Sequence, residues 1–141
     1  MSSFTKPLSV TAVGSGLYRL DVGFRFYLSD TKMGEFLDIP MGFISNGASI
    51  PKGIQRQFNW NPMDVRWAQA SFVHDALVGE TGVKLGVKSL ENSSVRYLGW
   101  KEATDWFDQA LRVKRGQSAD CPPLNRRLFV LAVKTWGLFR V

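Results

Sequence analysis

The chain has 141 residues, 45% hydrophobic and 21% charged, a balance that fits one globular domain with a real core and excludes a disordered chain. Eighteen Lys and Arg against twelve Asp and Glu give a formal charge of +6; the excess is spread along the chain without a basic tract or a nucleic-acid reader motif, so no specific nucleic-acid partner is expected. One cysteine, Cys121, excludes an internal disulfide, and one histidine excludes a His-rich zinc site, so no metal or other cofactor is expected.

The N-terminal MSSFTKPLSV has no apolar stretch after a basic start, and the longest apolar run, 128–133, is far too short for a membrane span. The expectation is a soluble protein made in a cytoplasm, with no transmembrane segment. Leu20, Val22, Phe24, Phe26 and Leu28 alternate with polar or small residues, and Leu37, Ile39, Met41 and Phe43 repeat that period of two. Turn residues lie between the two runs, so the pattern predicts an antiparallel hairpin over 17–44. Pro40 places an edge or a bulge in its second strand, and a short strand before Gly14 is expected as a further member of the sheet.

Next comes the loop FISNGASIP, where Gly47 permits a left-handed turn, Asn46 and Ser49 can bond local backbone, and Pro51 fixes the exit. The central element is 61–78, NPMDVRWAQASFVHDALV. Asn61 is a good N-cap, Pro62 suits the first helical position and Asp64 favours the positive end of the helix dipole. Apolar residues surround this helix on most sides, which places it inside the domain and carries His74 and Asp75 into the interior with it.

Alternation at Val83, Leu85 and Val87 and again at Val95 and Tyr97 predicts a second, projecting hairpin over about 80–100, as a docking arm or equally as a tolerated insertion. Helical spacing follows over about 101–115, with Asp108 and Arg112 able to pair across one turn and Gly116 as the stop. A last helix is expected over 123–139, with Leu124, Leu128, Leu131, Ala132 and Thr135 facing inward and Phe129, Val133 and Trp136 widening that face. Strands followed by helices predict an α+β fold: one domain over 1–141, with a small antiparallel sheet packed on a three-helix C-terminal bundle.

Two readings of the ionisable residues stand side by side. In one, Ser49, His74 and either Asp75 or Asp105 act as nucleophile, base and orienting acid; Asp105 is the better geometric partner, because Asp75 directly follows His74 and their side chains diverge along the helix. In the other, His74 and one of these acids form a satisfied buried hydrogen bond that serves the fold.

GFISNGASIPKGI, AQASFVHDALV and ATDWFDQAL, in that order, resemble the bacteriophage and prophage proteins grouped as domain of unknown function (DUF) family 1353. The resemblance covers about 36–139, with its most specific part in Ala48-Ser49-Ile50-Pro51 together with His74-Asp75. It matches Ser49, Pro51, His74, Asp75 and Asp105 to family positions, whereas Asn46 stands where the family usually has Asp, and Val78 where it often has Tyr. It implies a phage genome and no established reaction. The resulting expectation is a structural or accessory component of a tailed-phage virion, made in the host cytoplasm, whose partners are other virion proteins. The alternative is a phage hydrolase acting on cell wall or lipid through His74 and a neighbouring acid.

Overall fold

The computed structural model describes residues 2–28, 34–47, 61, 63–91, 94–113 and 121–139. Seven strands occupy Ser3–Phe4 (β1), Val10–Gly14 (β2), Leu17–Leu20 (β3), Phe24–Tyr27 (β4), Glu35–Ile39 (β5), Ile44–Ser45 (β6) and Lys88–Ser89 (β7). Three described helices follow the main strands: Ala68–Val78 (α1), Trp100–Leu111 (α2) and Pro123–Phe139 (α3). The class is α+β, as the chain order predicts.

The expected hairpin is present as β4 and β5, with Phe24 opposite Ile39 and Phe26 opposite Leu37. The run 20–28 is nevertheless two strands rather than one. At 21–23 the chain leaves one sheet for another: the Asp21 amide donates to the Ser9 carbonyl at 2.8 Å, and its carboxylate accepts from Thr11 Oγ1 at 2.7 Å. Gly23 lies so close to the next strand that a Cβ there would stand 3.0 Å from the Ile39 carbonyl oxygen. The result is a four-stranded sheet in the order β1-β4-β5-β7 and a three-stranded sheet in the order β2-β3-β6, every pairing antiparallel. The strand anticipated before Gly14 is therefore β2, and Pro40 sits in the bend between β5 and β6.

On the inner face of the larger sheet, Phe4 packs on Phe24 and Phe26, and Phe26 meets Trp106 of α2 edge-on at 5.9 Å. Every residue of α1 from 68 to 77 is buried, as the apolar residues around it require. The helix begins later than Pro62, since Asn61 and Asp64 cap turns: the Met63 amide donates to Asn61 Oδ1 and the Arg66 amide to Asp64 Oδ1, each at 2.9 Å. Its end is a left-handed Gly79, φ 73°, whose amide donates to the Asp75 carbonyl.

The segment 80–100 carries one antiparallel bridge of the expected hairpin, between Val87 and Arg96, but its described part does not project, because β7 joins the edge of β5, with Lys88 opposite Phe36. α3 turns inward only the widened edge of its expected inner face: Phe129 is buried with Asn125 and Val133 packs against the core, while Leu124, Leu128, Leu131 and Ala132 are exposed. The side chain of Thr135 and the expected stop at Gly116 lie outside the described residues. Phe129 turns inward because Trp67 offers it an edge-to-face partner at 4.9 Å, a contact of about 0.5–1.5 kcal/mol beyond its area. No described helix is long and apolar enough to cross a membrane.

Candidate functional site

Where the smaller sheet hands the chain to the central helix, two consecutive residues close on one carboxylate. Ser45 ends β6 with its side chain buried, and its hydroxyl donates to Asp75 Oδ2 at 2.6 Å. The Asn46 amide N–H reaches the same oxygen at 3.2 Å. Oriented with its nitrogen toward Asp75, the Asn46 side chain adds a third donor at 2.9 Å and holds the Gly47 carbonyl at 3.1 Å. Gly47, at φ 74°, turns its own amide back to Ser45 Oγ at 3.0 Å, the left-handed conformation that favours glycine. A few residues away, Thr81 Oγ1 donates to the Ile44 carbonyl at 2.7 Å and ties β6 to the turn after α1.

Asp75 is 2% exposed, and burial pushes its carboxyl above the ordinary carboxylate range. His74, the Ser45 hydroxyl and the Asn46 amide oppose that shift without reversing it. The imidazole Nδ1 lies 3.8 Å from Asp75 Oδ1, close enough for charge to be felt but too long for a hydrogen bond. The neighbours on the helix thus converge more than their sequence adjacency implies. The ring of His74 is edge-on to Trp100 at 5.4 Å and tilted on Phe107 at 5.2 Å. Its Nε2 is buried without a hydrogen-bond partner among the described residues.

Of the residues singled out in the sequence, the structure brings together Asn46, Gly47, His74 and Asp75. Asp105 is not among them. Trp100 and Phe107, two turns apart on α2, face the imidazole, while Asp105 is exposed on the other side of that helix. The acid beside His74 is Asp75. Ser49 and Pro51 lie outside the described residues. Ser45, Trp100 and Phe107 are additions that sequence reasoning missed. Ser45 carried a signal, since it follows Phe43 in the inward phase of the strand pattern, and a polar side chain there needs a buried partner.

Two cavities of about 690 and 680 Å³ are lined by other residues than His74 and Asp75. Among the described residues no group of three or more His, Cys, Asp or Glu is placed to hold a metal ion. The contacts of Asp75 make the junction a clamp, in which one acid draws strand, loop and helix together. A family model described as protein of unknown function (DUF1353) matches residues 20–132, a span holding the β4–β5 hairpin, the Ser45–Asp75 clamp and α2. The chain belongs to the DUF1353 family. No match was found among curated proteins or among solved structures. Asn46 suits the clamp of this DUF1353 chain because its amide nitrogen can donate to Asp75, which a carboxylate at that position could not do.

Proposed function

We propose that this DUF1353 chain is a non-enzymatic structural or accessory component of a tailed-phage virion, in the tail, baseplate or neck, acting through protein–protein contacts. The observation that carries the contact reading is the outward face of α3, where Leu124, Leu128 and Leu131 are 66%, 40% and 60% exposed. Their i, i+4, i+7 spacing makes one stripe. Single exposed leucines are ordinary, but a stripe at helical spacing is what a groove or a second helix covers. Arg127 and Lys134 fall on the same side, and α3 contains no acid. Two copies of this face would oppose cation to cation, so the stripe fits a different virion protein with acidic groups around an apolar strip.

The phage context is supplied by the resemblance to phage and prophage proteins. Enclosure of the candidate site favours a binding role over the hydrolase alternative: His74 is 8% exposed and wedged between two aromatic rings, where a base must reach substrate directly or through one water. Mass spectrometry of purified particles together with a map of the virion tests the proposal. Stoichiometric copies at a fixed position are expected, and absence from particles would sink it in favour of an intracellular or lytic role.

A further inference from the structure

Residues 84–88 and 95–97, folded back instead of projecting, wall a groove of about 690 Å³ over the outer face of the four-stranded sheet. The floor is flat and internally neutralised. Arg25 grips Asp38 with Nε to Oδ1 at 2.6 Å and Nη2 to Oδ2 at 3.1 Å, and its guanidinium lies 3.9 Å above the Phe36 ring. That fork cancels the one acid in the lining. Around it stand Lys6, Lys84 and Lys88, all exposed and in none of the described ion pairs. Lys88 is fixed on this face because it lies opposite Phe36 in the β5–β7 ladder. Tyr97, 62% exposed, and Val95 supply apolar surface on the far wall.

We propose that this groove binds an extended acidic peptide segment of a partner protein, its carboxylates paired with Lys6, Lys84 and Lys88 and its chain lying against Tyr97 and Val95. Charge complementarity selects the occupant: three uncompensated cations face a concave site with no free acid. Its volume is in the range that holds a short segment or small ligand. A nucleic-acid strand fits less well. Phosphates are best held by arginine forks and bases by open aromatic faces, yet the groove's single arginine is spent on Asp38 and covers Phe36 and Tyr27. Lysine ammoniums, as point charges, pair with carboxylates in many orientations.

The groove is built from the sheet and 84–97, without α3, so its failure and the failure of the α3 reading are separable. The experiment titrates the intact chain into a fluorescein-labelled oligoglutamate at low salt and follows anisotropy, with Lys84→Glu/Lys88→Glu compared against Arg19→Glu/Lys101→Glu. Both pairs reverse exposed cations and lower the net charge equally; circular dichroism verifies that each variant is folded. The groove pair is expected to weaken binding about tenfold or more and the control pair less than about twofold. Three results would overturn the proposal: no binding by the unmodified chain, equal losses in both variants, or tighter binding of an oligothymidylate of the same length.

Discussion

Asp75 shows how one residue can be both costly and organising. Its carboxylate collects the Ser45 hydroxyl and the Asn46 amide groups, which raises the local order of the β6–α1 junction, but burial holds its pKa above the ordinary value. The folded state then keeps a proton that the unfolded chain gives up near pH 3.9, so the contribution of Asp75 is fullest below about that pH and is lost as pH rises through the folded value. Asp75→Asn removes the titration while keeping an oxygen for Ser45 and Asn46. Urea denaturation of both proteins between about pH 4 and 7 should show the variant gaining on the unmodified chain as pH rises, by up to about 1.4 kcal/mol per unit while the native carboxyl remains protonated. A pH-independent difference, or one of opposite sign, would mean that the three donors outweigh desolvation.

Among the elements, the segment 84–97 departs furthest from its sequence pattern, and one side chain accounts for much of the departure. Arg96 donates to both oxygens of Glu35 on β5 at 2.8–3.0 Å and to Glu102 on α2 at 2.7 and 2.9 Å. It pins the segment to sheet and helix at once. The Val87–Arg96 bridge, with both N–H···O distances at 2.8 Å, lies directly beneath. Gly86 permits the close pass, since a Cβ there would collide with Val95 Cγ1. Arg96 and Glu102 are nearly half exposed, so water screens much of the attraction and Arg96→Ala is expected to cost only about 1 kcal/mol, less in high salt. The sharper readout is local. Amide hydrogen exchange at Val87 should accelerate in Arg96→Ala while the amides of α1 remain as they were; unchanged exchange at Val87 would show that β7 alone holds the segment.

At the scale of the whole molecule, sheet and helices bury one continuous core against α1, and α3 is joined to it along one side. Trp100 Nε1 donates to the Val133 carbonyl at 3.0 Å, Arg126 reaches Asp108 at 2.9 Å, and Phe129 fills the space beside Trp67. The side chains of the leucine stripe face away from those contacts. Leu124→Gln/Leu128→Gln/Leu131→Gln should therefore leave monomer stability within about 0.5 kcal/mol per site while abolishing incorporation into particles. A large loss of stability by chemical denaturation would show that the stripe belongs to the fold.

Periodicity and turn chemistry by themselves determined the α+β order, the β4–β5 pairing, the wholly buried α1 and the left-handed turn at Gly47, because each follows from local sterics and from which residues avoid water. The resemblance in the motifs also pointed to the family before any contact was visible. Only the tertiary structure decided which acid stands beside His74, which face of α3 turns inward, and that 80–100 folds back as a wall. Asp105 and Asp75 are equally acidic as letters, and α3 carries apolar residues on both sides. In each case the choice rests on partners distant in sequence: Trp100 and Phe107 for the imidazole, Trp67 for Phe129, and Glu35 for Arg96. Competition among such long-range contacts has no period, and so it leaves no pattern in the chain.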